Sequence, residues 1–522
     1  MFIRRRGISG IKLLKLHKKK KLLEKRAFFL YTGYTMPLED IKKIRIEKKD
    51  ALKSKGVDPY PIFLKRTHTL AEAREAFSDL SGKETEVILC GRIMTIRGHG
   101  ASTFAHIEDG TGKFQIYAKK DSMGEVAYSE FVDNFDIGDI VQARGVLFAT
   151  KKGEETLQIQ DIKMLAKSLL PLPEKWHGLQ DVEERYRKRY LDLLMNEEVR
   201  NIFRTRATIL KATREFLDGN GFLEVETSIL QPIPGGASAK PFKTHLNALD
   251  MDLYLRVAPE LDLKKLLVGG FEKVYEIGRS FRNEGMDFAH NPEFTSLEFY
   301  WAYTDYKELM KFSEKLFEHI FKAVGRFPKF EHDGKEIDLA APWPRIEFTA
   351  LFEKYLDIKY EDLNRDSLAK EAEKLGIKVD PHLNKGQVGD LIYKKACRPK
   401  IENPTFIIHH PTELAPLAKP LPDNPKYDAR FQLIINGWEV VNAFSELNDP
   451  MLQRELFQSQ EEKLRSGDEE AQRLDESFVE ALEHGLPPSA GFAFGVDRLT
   501  AILTNSHSLR EVILFPTMRP KG

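Results

Sequence analysis

Cysteine is scarce in this sequence of 522 residues, and its scarcity excludes two kinds of site. The chain has two cysteines, Cys90 and Cys397, and they stand far apart. Neither a zinc motif nor a disulfide framework can be built from two such distant residues. We therefore expect both to be small apolar core residues, in a protein of the reducing cytoplasm.

The sequence also lacks long apolar runs and a phosphate-binding loop of the GxxxxGK[ST] type. Without an apolar run long enough to span a bilayer, no contact with a membrane is expected. Without the loop, any ATP must be held by another arrangement of residues. The length, with 42% hydrophobic and 31% charged residues, favours two or three globular domains.

The net charge is zero, but the charge is unevenly distributed. Residues 1–35 carry 11 Lys and Arg against one acid, Glu24, so the remainder is acidic on balance. This basic extension has three readings: an RNA-binding arm, a targeting presequence, or a translation start placed upstream of Met36. We favour a disordered arm or a misplaced start, and expect removal of residues 1–35 to leave function nearly unchanged.

Residues 36–170 predict helices followed by a small β-barrel. Residues 37–80 have the composition and charge pattern of helices. From Glu86 onward, five alternating segments follow one another, separated by glycine-containing turns such as DGTG. Five short strands favour a closed barrel of the oligonucleotide-binding (OB) type, whose open face holds unpaired bases. Residues 171–198 then read as a linker, which begins with Pro171 and Pro173.

Two later stretches concentrate residue types that bind phosphate. FRNEG (281–285) and HNPEF (290–294) lie between two strand-like segments, and Arg282 offers a planar fork of donors to phosphate oxygens. GFAFGVDRL (491–499) brings Arg498 to the start of a helix, after closely spaced glycines that allow close backbone approach. The plain alternative for the first stretch is a solvated hairpin tip.

A third stretch, EVVNAFSELNDP (439–450), has the alternation of a strand. Strict alternation puts Glu439 on one face and Asn442, Phe444 and Glu446 on the other. A buried glutamate is costly unless it meets a cation, which makes this face a candidate for binding a positive group. A half-exposed edge strand is the plain alternative.

Together these stretches resemble the sequence motifs of class II aminoacyl-tRNA synthetases. GFLEVETSILQPIPGG is similar to motif 1, FRNEG with HNPEF to motif 2, and GFAFGVDRL to motif 3. RVAPELDLKKLLVGG, PTFIIHHPTELAPLA and FSELNDP are similar to the lysine-specific branch of that class. The resemblance implies an α+β chain: a five-stranded OB-fold barrel that reads the anticodon, then a catalytic domain at 199–522. That domain would have an antiparallel sheet flanked by helices and a helical insertion around 345–400.

The resemblance also implies residue roles. The ATP-binding positions, of which Arg282, Glu284 and Arg498 would be catalytic, are Arg282, Glu284, His290, Asn291, Phe294, Glu439 and Arg498. The lysine-binding positions are Gly236, Glu260, Glu298, Tyr300, Asn442, Phe444 and Glu446. The positions that would contact the central anticodon base are Phe104, Gln115 and either Glu154 or Glu155. Mg²⁺ would be held by Glu439.

Three residues depart from the family pattern. Gln432 stands where the metal-binding pair usually has a second carboxylate, seven residues before Glu439, and a neutral amide oxygen ligates Mg²⁺ weakly. Ser228 replaces the proline of motif 1, and Ala415 stands where serine is common. None of the three changes the expected activity.

The implied pocket has the charge that a lysine substrate requires. Glu260 and Glu446, flanked by Tyr300, would neutralise an ammonium group removed from water, and no Lys or Arg is found among the implied pocket positions. The expected partners are tRNA(Lys), L-lysine, ATP and a second copy of the chain bound through motif 1. The alternatives are an enzyme that lysylates a protein, a catalytically inactive RNA-binding relative, and an aspartyl- or asparaginyl-tRNA synthetase.

Overall fold

The computed structural model describes residues 36–173, 181–465, 467 and 471–521. They divide into two compact units, one within residues 1–178 and the other within residues 179–522. The basic extension at 1–35, with its three readings, lies outside the described residues. No helix in the described part of the chain is long and apolar enough to cross a membrane.

Three helices open the first unit: α1 (Leu38–Ser54), α2 (Leu70–Glu75) and α3 (Phe77–Gly82). α2 begins after Thr69 because the Thr69 side chain accepts from the Glu72 backbone N–H, while the Glu72 side chain accepts from the Thr69 N–H. The helices predicted over 37–80 are therefore confirmed apart from the loop that joins α1 to α2.

A five-stranded closed barrel follows, in the order β1-β2-β3-β5-β4. Its strands are β1 (Glu86–His99), β2 (Ser102–Glu108), β3 (Lys113–Lys119), β4 (Ile140–Ala149) and β5 (Glu155–Ala166). The alternation that predicted them also fills the barrel, since Ala105, Ile107 and Ile116 point into its core. Two short helices between β3 and β4, α4 (Lys120–Met123) and α5 (Glu125–Asn134), were not predicted.

The second unit begins inside the range predicted as a linker. Helices α6 (Val182–Arg187) and α7 (Arg189–Met195) lead into the long helix α8 (Glu197–Gly219). The buried Arg189 side chain donates to the backbone oxygens of Arg510, Ile513 and Leu514, so this part of the range folds with the second unit.

An eight-stranded sheet forms the centre of the second unit, in the order β14-β15-β16-β17-β18-β11-β10-β6. Neighbours from β15 to β10 pair antiparallel, and the two outermost strands join in parallel. The strands are β6 (Leu223–Glu224), β10 (Lys273–Phe281), β11 (Glu293–Ala302), β14 (Arg345–Glu347), β15 (Thr405–Ile408), β16 (Arg430–Ile435), β17 (Trp438–Ser445) and β18 (Ser489–Gly495). The predicted antiparallel sheet is confirmed.

Helices cover one face of this sheet. α10 (Tyr306–Ala323) begins where the Asp305 side chain accepts from the N–H groups of Lys307 and Glu308, and it buries a phenylalanine-rich stripe. Phe317 packs edge-on against Phe494 of β18, and Phe299 of β11 stacks on Phe492. Because this face is filled by apolar side chains, the polar side chains of the same strands collect on the other face.

The remaining elements surround the sheet. Before α10 come β7 (Leu230–Gln231), β8 (Lys243–Leu246), β9 (Met251–Leu255) and α9 (Glu260–Val268). A hairpin of β12 (Lys329–His332) and β13 (Lys335–Asp338) follows α10. The predicted helical insertion lies between β14 and β15, as α11 (Phe348–Leu356), α12 (Arg365–Lys374) and α13 (Lys385–Ile392). The last helices are α14 (Pro450–Arg465), α15 (Glu476–Glu483), α16 (Val496–Leu503) and α17 (Leu509–Val512).

Candidate active site and barrel surface

A cavity of about 400 Å³ opens on the polar face of the eight-stranded sheet. Most of the residues predicted to bind ATP, lysine or a metal ion line it. They are Gly236, Glu260, Arg282, Glu284, His290, Asn291, Phe294, Glu298, Gln432, Glu439, Asn442, Phe444 and Arg498. Tyr300 and Glu446 do not line it. Both are buried behind its wall.

Strand register orders these residues into rows across the sheet. One row runs Glu298, Ala493, Asn442 and Gln432, and the next runs Tyr300, Gly491, Phe444 and Arg430. Phe294 lies six residues before Tyr300 on β11, which at the rise of a strand is roughly 20 Å. The residues predicted for lysine therefore occupy one end of the sheet face, and those predicted for the nucleotide occupy the other.

A β-bulge corrects the predicted faces of β17. Leu433 pairs with Val441, but the next residue, Ile434, pairs with Glu439, so Val440 is the extra residue. The bulge turns Glu439 onto the same face as Asn442, whereas strict alternation had placed it on the opposite face. One inserted residue thus brings Glu439 into the cavity.

Arg282 lies at the loop between β10 and β11. Its guanidinium group lies over the Phe294 ring at 5.1 Å, and its backbone N–H donates to the Pro292 oxygen. Burial lowers the pKa of Arg282, and the carboxylate of Glu284 opposes this. Its Nε is buried without a hydrogen-bond partner, so the side chain retains a donor for a ligand.

Arg498 lies in the first turn of α16. Its Nη1 donates to the backbone oxygen of Glu439 over 2.9 Å. The neighbouring Asp497 anchors this turn, because it accepts from the Thr295 N–H and pairs with Arg206. The helix therefore presents Arg498 to the cavity from a fixed position.

Four cations lie near Glu439. Burial alone would raise the pKa of Glu439, but Arg498, Arg398, Lys394 and Arg430 outweigh it and hold that pKa below its usual range. Gln432, the expected partner ligand, accepts a hydrogen bond at Oε1 from the Tyr393 hydroxyl. Among the described residues, no three His, Cys, Asp or Glu side chains come together as metal ligands would. These donors therefore do not fit a metal ion held between positions 432 and 439.

The glutamates at the other end already share a cation, which corrects one sequence-based expectation. Lys264 is fully buried, donates to Glu260 over 2.7 Å and forms an ion pair with Glu446. No lysine was expected in this pocket. Lys264 and the nearby Arg430 do not balance three carboxylates, however, because Glu298 lies beside the same group.

The excess of negative charge at this end shows in the pKa of Glu298. Burial and the nearby carboxylate of Glu260 raise the pKa of Glu298 to about 8. The Tyr300 hydroxyl donates to Glu298 over 3.1 Å. Burial and neighbouring carboxylates likewise raise the pKa of Glu446, although Lys264 opposes the shift. A further cation at this end would let these groups ionise.

Two glycines make room for the glutamates. A Cβ at Gly491 would lie 2.1 Å from Glu446 Oε1 and 2.4 Å from the Tyr300 ring. Gly236 has φ +87, and a Cβ there would lie 2.9 Å from the Cβ of Glu260. Side chains at these positions would displace the pocket residues.

The predicted anticodon residues share one face of the barrel in the first unit. Phe104 of β2 pairs with Tyr117 of β3, and their rings stack at 4.5 Å. Tyr117 also contacts Phe148 of β4. The three half-buried rings form an aromatic surface, which we call the barrel platform (Phe104, Tyr117 and Phe148). Such surfaces stack on unpaired bases.

Gln115 and Glu154 lie near the platform. The Thr156 hydroxyl donates to the side-chain oxygen of Gln115 over 2.7 Å. This bond leaves the amide N–H donors of Gln115 for a ligand. Glu154 contacts His106, the strand partner of Gln115, whereas Glu155 pairs with Arg74. The sequence left Glu154 and Glu155 as alternatives. Glu154 is the one that contacts His106, the residue paired with Gln115.

Several residues of these surfaces were missed at the sequence level. They are Lys264, Arg430, Lys394, Arg398, His106, Tyr117 and Phe148. Two signals were available: Lys264 follows Glu260 by one helical turn, and Tyr117 follows Gln115 by one strand repeat. Lys394 and Arg398 carried no such signal, because they come from the distant helical insertion.

The two cysteines differ in their surroundings. Cys397 is fully buried among apolar residues, which raises the pKa of its thiol to about 12. The expected core position is thereby confirmed for Cys397. Cys90, on β1, is only half-buried, so it is not a core residue.

Comparison with known proteins agrees with both units. Residues 181–519 match the family described as tRNA synthetases class II (D, K and N), and residues 87–165 match the OB-fold nucleic acid binding domain. Fold and site thus define a class II aminoacyl-tRNA synthetase with an OB barrel.

The most informative relatives are full-length. The chain is 48% identical over 493 residues to the lysine–tRNA ligase of Pelotomaculum thermopropionicum, covering 94% of this chain and 97% of that one. It is 46% identical over 483 residues to the lysine–tRNA ligase of Moorella thermoacetica, covering 92% and 98%. The chain belongs to the lysine–tRNA ligase family.

Proposed function

We propose that this protein activates L-lysine with ATP and transfers it to tRNA(Lys). The observation that carries the proposal is the charge of the cavity: Glu260 and Glu298 line one end, and Arg282 and Arg498 line the other. The first end suits a cationic side chain and the second suits phosphates. The class and the identity to lysine–tRNA ligases support the same reaction.

The charge of the pocket favours lysine over aspartate. Three carboxylates (Glu260, Glu298 and Glu446) outnumber the two nearby cations, Lys264 and Arg430. The group therefore keeps a negative charge that would repel an aspartate side chain. Glu298 remains to meet an ammonium group. Adding one positive charge to this end satisfies a carboxylate that burial otherwise keeps protonated.

The first step needs no protein nucleophile. The lysine carboxylate attacks the α-phosphorus, an oxygen–phosphorus bond forms, and the bond to the departing pyrophosphate breaks. Arg282 would stabilise the charge on the α-phosphate, and Arg498 would hold the outer phosphates. Phe294, with Arg282 above its ring, would position the adenine. Glu284, His290 and Asn291 line the same part of the cavity.

The second step transfers the lysyl group to tRNA. The terminal ribose hydroxyl attacks the mixed anhydride, an ester forms, and AMP leaves. The barrel platform, with Gln115 and Glu154, would hold the anticodon base. Mg²⁺ is part of the proposal as a companion of the ATP phosphates, with no protein group assigned to it. A cytoplasmic location also stays a prediction.

A homodimer is proposed through the segment that resembles motif 1. Ile229, Leu230 and Ile233 are 43%, 46% and 37% exposed around β7. Exposed apolar side chains in one short segment favour a protein contact. Ser228 is exposed beside them, so the replaced proline is not needed to build a core.

Lysine-dependent ATP–pyrophosphate exchange, run with each of the twenty amino acids, tests the function. We expect exchange with lysine and charging of tRNA(Lys). Exchange with aspartate or asparagine would assign the enzyme to another branch, and charging of a protein instead of tRNA would support a protein-lysylating enzyme. No exchange with any amino acid would identify a catalytically inactive relative.

A further inference from the structure

Two cations from outside the three motifs, Lys394 and Arg398, lie at the ATP end of the cavity beside Arg498 of motif 3. Arg398 Nη1 lies 3.5 Å from Glu439 Oε2, and Arg498 Nη1 lies 4.0 Å from Glu439 Oε1. Lys394 lines the cavity near these groups. Glu439 therefore faces four positive side chains, of which Arg430 is the fourth. Even with Asp390 beside Lys394, the net charge of the group is positive.

These cations are held by packed structure. Lys394 lies in the π-helical turn Tyr393–Cys397, and Arg398 in the 3₁₀ turn Arg398–Lys400. Just after the latter turn, the Ile401 oxygen accepts from the Gly437 N–H over 2.7 Å. Gly437 belongs to the turn that joins β16 to β17, so Arg398 is fixed to the strands that carry Gln432 and Glu439.

Only Lys394 keeps donors that a ligand in the cavity can reach. Arg398 does not line the cavity, and its Nη1 lies 3.5 Å from Glu439 Oε2, so it acts on the site through its charge. Lys394 pairs with Asp390 over 2.7 Å, but its side chain is 47% exposed at the cavity. An ammonium group has three donors, so that pair leaves two for phosphate oxygens.

The residue at position 432 also does not suit a metal ion. A metal ion between positions 432 and 439 would need carboxylate oxygens, but Gln432 is neutral and its oxygen accepts from Tyr393. A cation at this site would also be repelled by Arg398, Arg498 and Lys394. The chemistry of the site is that of an anion-binding site.

We propose that Lys394 binds the outer phosphates of ATP directly, and that Lys394 and Arg398 supply there the positive charge that a metal ion between positions 432 and 439 would otherwise give. The proposal rests on the proposed use of ATP. It adds one binding residue from the helical insertion, Lys394, to Arg282 and Arg498, and a second cation, Arg398, that acts from beside Glu439. It also predicts that ATP binds appreciably without a divalent metal ion.

Binding of ATP without metal is the first test. Isothermal titration with ATP in EDTA would compare the wild type with Lys394→Met, Arg398→Met and the control Lys395→Met, whose lysine does not line the cavity. We expect ATP to bind about tenfold or more weaker in Lys394→Met, since a contact to a charged group is worth about 1.5–3 kcal/mol, and weaker by a smaller factor in Arg398→Met. The control should stay within about twofold.

AMP serves as a matched ligand, because it lacks the outer phosphates. Its affinity should not change in any of the three variants. Unchanged ATP binding in Lys394→Met would overturn the proposal, and so would an equal loss for AMP. Lys394 is exposed, so this variant remains informative even if Arg398→Met fails to fold.

Counting bound Mn²⁺ by electron paramagnetic resonance is the second test. In the ATP-loaded protein, the number of bound ions should be the same in wild type and Glu439→Gln. Fewer ions in Glu439→Gln would reveal a protein-held metal and overturn the proposal. Exchange of pyrophosphate with lysine is read separately, so a failed binding test leaves the proposed function standing.

Discussion

Lys264 donates a hydrogen bond from its Nζ to Oε1 of Glu260, one turn earlier in the same helix, over 2.7 Å. Both side chains are buried, and Glu446 completes the group from another strand end. The pocket proposed for a lysine substrate therefore contains a lysine of its own. Its ammonium group fixes two of the three carboxylates and leaves the third, Glu298, for the substrate.

Removing this internal ammonium should destabilise the protein. Lys264→Met leaves buried carboxylates unpaired, and we expect a loss of about 3–5 kcal/mol in the free energy of unfolding. Urea denaturation at neutral pH measures it. The neighbouring Lys265→Met, at a half-exposed position, should change stability by less than about 0.5 kcal/mol. Equal stability of the two variants would contradict the structural role of Lys264.

Lysine binding should release a proton at neutral pH. The pKa of Glu298 is raised to about 8, so the free enzyme holds the carboxyl protonated at pH 7, and a bound ammonium favours its ionisation. Calorimetric titrations with lysine in buffers of different ionisation enthalpy measure the released protons. Release should approach one proton in the wild type and fall in Glu298→Gln. If both proteins released the same number of protons, Glu298 would not be the group that ionises when lysine binds.

The same group predicts how stability depends on pH. The pKa of Glu298 in the folded state lies above its value of about 4.3 in an unfolded chain, so the folded state holds the proton longer. Its contribution to stability is full below that unfolded pKa and is lost as pH rises towards 8. Unfolding of the ligand-free wild type, compared with Glu298→Gln across this range, measures the difference. A pH dependence identical in both proteins would be evidence against the shift.

Arg282 should be essential for the chemical step. We expect Arg282→Ala to lose about 100-fold or more of lysine-dependent pyrophosphate exchange, because it removes a donor aimed at the reacting phosphate. Arg279→Ala, on β10 just before the loop that carries Arg282, exposed and outside the cavity, is the matched control and should keep its exchange activity. Retention of exchange within about threefold in Arg282→Ala would remove that residue from its role.

The barrel platform should act on tRNA and leave lysine activation unchanged. Stacking on one base is worth about 1–3 kcal/mol, so Phe104→Ala and Tyr117→Ala should raise the KM for tRNA roughly 5- to 150-fold. Pyrophosphate exchange without tRNA should stay at the wild-type rate. Phe63→Ala, which removes an exposed ring elsewhere in the same unit, is the control. If both platform variants kept the wild-type KM for tRNA, the platform would not be the surface that contacts the anticodon.

The exposed segment around β7 should hold two copies together. Leu230→Glu places a charge in the proposed contact, and we expect a monomer by size-exclusion chromatography with light scattering, where the wild type is a dimer. Leu375→Glu, at a comparably exposed leucine in the helical insertion, should remain dimeric. A wild-type protein that is itself monomeric would contradict the proposed homodimer.

Much of the fold could be predicted because periodicity and local signals agreed. The alternating segments after Glu86 became β1 to β5, and the helices expected within 37–80 became α1 to α3. The two short helices after β3 were missed because they lack a strong stripe of their own and pack on the barrel core through residues such as Phe131. A local sequence pattern predicts an element well when one face of that element is buried and the other is not.

For the candidate site, the sequence alone determined which residue types come together. The resemblance to the family's motifs named Arg282, Arg498, Glu260 and Glu298 in advance. Tertiary structure decided the rest. The bulge at Val440 turns Glu439 into the cavity, and the helical insertion brings Arg398 beside it from 41 positions away. No periodic signal encodes either effect, since the first depends on strand pairing and the second on how distant segments pack.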